Sequence, residues 1–196
     1  GWLLLKGEIR SLAWGPLVGL LYAPVDLIVG NSPNWFMIET WVGRFLLFGF
    51  LWLSLVYLAF QLRQFAPPLI SVGLLFVSIP LFPILENQSD AIFVSLSVLG
   101  LANLVAFSRE LRLRGVLYAS VCIGLGVLAR VETVVLILTV AVIAFLAGRK
   151  QFPPQRIFAA SILPASGILA VFLFFSLITL GDLNLGISSK SYDSFE

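Results

Sequence analysis

Long apolar runs dominate the chain, and most charged residues lie in the short segments between them. Residues 45–60, 67–85, 91–107 and 157–180 carry no charged side chain. Each run meets or approaches the roughly 20 residues that a helix needs to cross a 30 Å hydrocarbon core. The runs lack the alternation of apolar and polar positions that membrane β-strands show. The pattern therefore predicts an all-α, polytopic bundle of transmembrane helices.

A fifth apolar run, residues 116–148, is too long for one ordinary span and is interrupted by Arg130 and Glu132. One interpretation is a single tilted helix that buries both charges, each costing about 2.5–3.5 kcal/mol on insertion scales. The other is a hairpin of two short helices, 116–129 and 133–148, with the charged pair at its tip.

The distribution of cations favours the hairpin. It places seven cations on one side of the membrane, namely Arg63, Arg109, Arg112, Arg114, Arg149, Lys150 and Arg156. The other side then holds Lys6, Arg10, Arg130 and Lys190. A single helix would divide the loop cations evenly, which gives no bias. Because cytoplasmic loops carry an excess of Lys and Arg, the uneven distribution is the expected one.

The prediction is one integral membrane domain, residues 1–196. Six membrane helices are expected, at 36–64, 67–85, 91–107, 116–129, 133–148 and 157–180. Residues 1–35 are expected to form outer interfacial loops and helices, because prolines and an aspartate interrupt their apolar pattern. Residues 181–196 are expected to form an outer segment.

Composition excludes several classes of protein. The chain is 60% hydrophobic and 11% charged, with a mean hydropathy of +1.05, whereas soluble domains are about 45–50% apolar and about 25% charged. A net charge of +2 provides no polybasic surface for nucleic acid. The sequence contains no His and one Cys, so imidazole chemistry and an internal disulfide are excluded. Because it opens on Gly1, we expect a fragment that lacks its N-terminus.

Acidic residues concentrate on the predicted outer side, whereas the predicted inner loops contain one acid, Glu110. Glu86 and Asp90 lie in a short outer loop, and Arg130 and Glu132 mark the hairpin tip. A carboxylate beside a cation can accept a proton from a hydroxyl, and an Arg can bind a phosphate. Taken singly, these residues are also typical of a buried ion pair or a solvated loop, so both interpretations stay open.

Four segments carry a family resemblance. They are Gly7–Ser11 with Pro16 to Tyr22, Ile79–Phe82 with Glu86–Asp90, Gly124–Glu132, and Gly181–Asp182 with Ser188–Lys190. In this order they resemble the GT-C superfamily of multispanning glycosyltransferases, including its protein-mannosyltransferase-like members. These enzymes take sugars from polyprenyl- or dolichyl-phosphate donors.

The resemblance implies transfer of a sugar from a polyprenyl phosphate to an acceptor hydroxyl on the outer face. The residues it implies for binding the donor phosphate and sugar are Arg130, Glu132, Lys190, Ser89 and Glu86. The principal catalytic Asp is expected upstream of Gly1, and Asp90 is the candidate within the chain. A carboxylate would deprotonate the acceptor, and the lipid phosphate would leave with its charge stabilised by Arg130.

The sequence assigns no metal ligands. Because His is absent, a metal cofactor would be a hard, oxygen-liganded ion such as Mg²⁺ or Mn²⁺. The expected partners are a polyprenyl-phosphate-linked sugar, membrane lipids and other membrane subunits, but not nucleic acid. The expected location is a bacterial inner or plasma membrane, with residues 109–114 and 149–156 in the cytoplasm.

Two alternative functions use the same charges. A lipid or solute transporter would use them as a translocation site, and many transporter folds show inverted repeats. No repeat relates residues 36–107 to residues 116–180. A non-catalytic subunit of a larger membrane complex would pair its outer charges with a partner protein.

Overall fold

A computed structural model describes residues 35–65, 73, 76, 88–130 and 133–180. These residues form helices joined by short turns, and they contain no strand. The five helices are α1 (Trp35–Leu62), α2 (Gln88–Glu110), α3 (Leu113–Val127), α4 (Val134–Gly148) and α5 (Pro154–Leu180). The all-α prediction is therefore confirmed for the described part of the chain.

Three of these helices are long and apolar enough to cross a membrane. The candidate spans are Trp41–Leu62 in α1, Asp90–Glu110 in α2 and Pro154–Phe174 in α5. This is consistent with an integral membrane protein. Helices α3 and α4 have 15 residues each, fewer than an ordinary span.

The predicted count of six spans is therefore only partly supported. The predicted helix 67–85 lies outside the described residues except at positions 73 and 76. The predicted outer segments 1–35 and 181–196 also lie outside them, apart from Trp35 at the start of α1.

Helices α2 and α5 extend past charged or proline residues that end their uncharged runs. Helix α2 includes Asp90 in its first turn and Arg109 in its last turn, where each charge complements the helix dipole. Helix α5 begins at Pro154, because a proline in the first helical turn needs no backbone N–H partner. Charged and proline residues that end an apolar run therefore do not end these helices.

Helices α3 and α4 form the hairpin rather than one continuous helix. A turn after Val127 separates them, and α4 begins at Val134. Gly115 at the start of α3 and Gly148 at the end of α4 both pack against Phe107 of α2. Because these two opposite helix ends meet the same side chain, α3 and α4 run antiparallel.

The bundle has two chemically different ends. At one end, which we call the tip end, Ala129 of the hairpin turn is buried with Leu51 of α1 and Ile92 of α2. At the other, which we call the arginine end, α1 and α2 finish and α3 begins. The cations of this end are Arg63, Arg109, Arg112, Arg114, Arg149, Lys150 and Arg156.

Close contacts between small residues join α3 to α5. A Cβ added to Gly124 would lie 2.8 Å from the Cα of Ala165. Close packing of this kind drives helix association in lipid, where no hydrophobic force favours one apolar partner over another. Gly126 is also closely packed, because an added Cβ there would lie 3.0 Å from Cγ2 of Thr133.

A buried hydroxyl also connects α3 with α5, beside Pro164. Ser120 Oγ donates to the carbonyl of Ser161 at 2.6 Å and accepts from the N–H of Ala165 at 3.2 Å. Ser161 and Ala165 are four residues apart, the spacing that a helix normally joins directly. Ser120 therefore bridges a backbone pair of α5.

Candidate functional site

The tip end brings Asp90 and Arg130 together in an ion pair between Oδ1 of Asp90 and Nε of Arg130. Asp90 lies in the first turn of α2, and Arg130 lies in the turn between α3 and α4. The sequence left open whether these two charges share a site, and in the structure they are in contact.

The backbone of the hairpin turn is fixed on both sides of Arg130. The N–H groups of Ala129 and Arg130 donate to the carbonyl of Gly126 at 3.0 and 2.9 Å. On the other side, the N–H and hydroxyl of Thr133 donate to the carbonyl of Arg130 at 3.1 and 2.6 Å. Thr133 is almost completely buried, so this contact is protected from water.

Packing beneath the turn positions Arg130 next to Asp90. Ala129, the residue before Arg130, is buried in a cluster that contains Ala91, the residue after Asp90. Leu47 and Leu51 of α1 complete this cluster. Since each charged residue adjoins a buried alanine of one cluster, the ion pair follows from the packing of the helices.

The position of the pair along α2 bears on its ligand. The candidate span Asp90–Glu110 has 21 residues, which at 1.5 Å per residue gives about 30 Å, the thickness of the hydrocarbon core. If α2 crosses the membrane along this candidate span, Asp90 and Arg130 lie near the membrane surface, where lipid phosphates begin. Their side chains are 24% and 38% exposed, so an entering group can reach them.

The chemistry of the pair suits an anion. A guanidinium carries five N–H donors, more than a single carboxylate contact uses. Its planar fork matches the oxygens of a phosphate. A half-exposed ion pair of this kind adds only about 0–1 kcal/mol to stability, so stability alone is a weak reason for its presence.

The other predicted site residues are not described in the same detail. Glu86, Glu132 and Lys190 lie outside the described residues. Ser89 lies in the first turn of α2, but its side chain is outside the described part. The structure therefore places Asp90 and Arg130 at one site and bears on no other predicted member.

The described residues do not form a metal site. No group of three Asp, Glu or Cys side chains gathers anywhere among them. Of the acids whose side chains are described, Asp90 lies at the tip end and Glu110 at the arginine end. One carboxylate already paired with an arginine does not fit Mg²⁺ or Mn²⁺, which bind several oxygen ligands.

Sequence reasoning missed Thr133 and Ala129, the residues that fix the turn. An available signal was the hydroxyl of Thr133 directly before an apolar helix, a position where such residues often bond to nearby backbone. The burial of Ala129 depends on α1 and α2, which are distant in sequence.

Comparisons with protein-family models, with curated proteins and with solved structures each find no match to this chain. Function is therefore inferred from the chemistry of the residues themselves.

Proposed function

We propose that the protein is a membrane glycosyltransferase that transfers a sugar from a polyprenyl-phosphate donor to an acceptor hydroxyl at the tip end. The observation that carries the proposal is Arg130, fixed in the hairpin turn and paired with Asp90 at the end of a candidate membrane span. The resemblance of residues 124–132 to the corresponding GT-C segment supports the same chemistry.

The proposed reaction is a direct displacement with inversion. The acceptor oxygen forms a bond to the anomeric carbon as the bond from that carbon to the phosphate oxygen breaks. The hydroxyl proton passes to a carboxylate, and the lipid phosphate leaves with one additional negative charge. Arg130 stabilises this developing charge, and one such donor is typically worth 10²–10³ in rate.

Asp90 has a positioning role in this proposal. Its carboxylate contacts Nε of Arg130, which orients the guanidinium and leaves the terminal nitrogens to face a phosphate. Asp90 is also the described carboxylate nearest to Arg130, so it is a candidate proton acceptor. Replacement by Asn separates the two roles, because an amide oxygen still accepts from Nε but does not take up the proton.

The test uses full-length protein in membranes, with a panel of polyprenyl-phosphate hexoses and pentoses. The wild type should release lipid phosphate from at least one donor. Arg130→Ala should lower that rate at least about 100-fold. Arg156→Ala, which removes an exposed arginine at the opposite end, should leave the rate unchanged.

Two results would contradict the proposal. Wild-type rates in a normally folded Arg130→Ala variant would remove Arg130 from the reaction. Failure of the wild type to use any donor in the panel would overturn the transferase function and favour the subunit or transporter alternative.

We further propose that the arginine end faces the cytoplasm, in a bacterial inner or plasma membrane. Its cations outnumber its single described acid, as the positive-inside rule predicts. Accessibility labels at positions 110 and 152 should both report the cytoplasm, and labels in opposite compartments would refute this topology.

A further inference from the structure

A second polar site lies at the arginine end and takes no part in the proposed transfer. It is a cavity of about 180 Å³ between the end of α1, the end of α2 and the start of α3. Its polar lining includes Gln61, Asn103, Glu110, Arg112 and Arg114. Pockets for drug-sized ligands start at about 300 Å³, so this one suits a headgroup-sized fragment.

The two arginines that line the cavity, Arg112 and Arg114, contact Glu110 less closely than Arg109 does. Arg109 contacts Glu110 at 2.7 Å, whereas Arg114 and Arg112 approach the same carboxylate at 3.4 and 3.8 Å. Arg112 and Arg114 are 62% and 59% exposed. Three arginines around one carboxylate leave an excess of positive charge. Because Arg109 already pairs with Glu110, the other two arginines can turn toward another anion.

A buried side-chain amide at the same cavity lacks a hydrogen bond to its oxygen within the described part of the chain. Gln61 is 4% exposed and lines the cavity, and among the described residues its Oε1 has no hydrogen-bond partner. A buried acceptor without a donor typically costs about 1–3 kcal/mol. A hydrogen-bond donor would satisfy Oε1 once the Gln61 side chain turns toward the cavity; a phosphate diester offers no donor, whereas a hydroxyl does.

The cavity lies at the ends of two candidate membrane spans. The candidate spans of α1 and α2 end at Leu62 and Glu110, beside the cavity. Tyr57 and Tyr118 also line it, and tyrosine is typical of the membrane interface. If these helices cross a membrane, the cavity lies at headgroup depth, where basic pockets between helices bind anionic lipids.

We propose that this cavity binds the headgroup of an anionic phospholipid, with the phosphate on Arg112 and Arg114 and a headgroup hydroxyl donating to Gln61. The chemistry required is a phosphate ester that carries a free hydroxyl. A glycerol headgroup supplies both. A soluble glycerol phosphodiester has the same chemistry, so the test separates the two sources.

The test measures lipid binding to purified full-length protein by native mass spectrometry. The probes are phosphatidylglycerol, phosphatidylmethanol, which has the same charge but no headgroup hydroxyl, and phosphatidylcholine. Wild-type protein should prefer phosphatidylglycerol to both others. Soluble glycerophosphoglycerol should not displace it at equal concentration, and displacement there would identify a soluble ligand and overturn the lipid assignment.

Matched variants test the arginines. Arg112→Ala together with Arg114→Ala should weaken phosphatidylglycerol binding about 25-fold, at about fivefold for each arginine. Arg149→Ala together with Lys150→Ala removes the same charge from the same end but outside the cavity, and should change binding less than about threefold. Equal losses in the two double variants would show non-specific attraction and overturn the site.

Gln61→Leu tests the hydroxyl contact. The substitution removes an unpartnered acceptor, so the protein should fold with an unchanged or raised melting temperature. Phosphatidylglycerol and phosphatidylmethanol should then bind alike. A preference for phosphatidylglycerol retained by Gln61→Leu would overturn the assigned role of Gln61.

Discussion

The two ends of the bundle carry charge in opposite ways. At the tip end, Arg130 is fixed by backbone hydrogen bonds to Gly126 and Thr133 and contacts the carboxylate of Asp90. At the arginine end, Arg112 and Arg114 are largely exposed and share Glu110. Among the described residues, the arginine end therefore has more charged side chains than the tip end, but each of them is less constrained.

This difference shows that the number of charges at a site and the rigidity with which they are held are separate properties. A fixed arginine suits a reaction, because it stabilises a developing charge without reorganising. Mobile arginines suit binding of a lipid headgroup, where the positive charge matters more than its geometry.

The sharpest way to break this comparison is to replace arginine with lysine at each end. Arg130→Lys keeps the charge but loses the planar fork, so transfer should fall about 100-fold. Arg112→Lys together with Arg114→Lys should keep phosphatidylglycerol binding within about threefold. Transfer rates and lipid dissociation constants measure the two effects. Equal tolerance at both ends would show that Arg130 acts only as a charge.

A second prediction concerns the packing below the tip. Gly124→Ala drives a methyl group into the backbone of Ala165, and should lower the free energy of unfolding by about 1–3 kcal/mol. Gly167→Ala is the matched control, because nothing lies within 4 Å of its added Cβ. Unfolding in increasing concentrations of a denaturing detergent measures the stability of both variants. Equal stability would refute a tight contact between α3 and α5.

A third prediction concerns the bridge from α3 to α5. Ser120→Ala leaves the backbone groups of Ser161 and Ala165 without the bridging hydroxyl, and should destabilise the protein by about 0.5–2 kcal/mol. Ser108→Ala is the control, because that exposed hydroxyl bonds only within its own helix. The same unfolding measurement applies, and a loss no larger than that of the control would contradict the role of the bridge.

The smallest expected effect lies in the turn that leads to the arginine end. Leu111, between α2 and α3, has a φ of 50°, which residues with a Cβ adopt at a cost of about 1–2 kcal/mol. Leu111→Gly should therefore be about 1 kcal/mol more stable than Leu111→Ala, which removes the side chain but keeps the strained backbone. A more stable alanine variant would contradict this.

The sequence predicted the helices better than it predicted their contacts. Charge-free runs located α1, α2 and α5, and Arg130 with its neighbours located the hairpin, because charges and apolar runs are local signals. The sequence placed Asp90 and Arg130 on the same predicted side of the membrane, but their contact is seen only in the structure. The cavity at Gln61 was not predicted, because it requires three helix ends to meet.

The Ser120 bridge has a consequence for how the protein is assembled. Helix α5 contains Pro164, and the backbone pair beside it is joined through a hydroxyl that belongs to α3. During synthesis α3 emerges before α5, so its hydroxyl is already in place when the later helix enters the lipid. A graft that moves α5 into another scaffold therefore loses this hydroxyl unless a serine from a neighbouring helix is transferred with it.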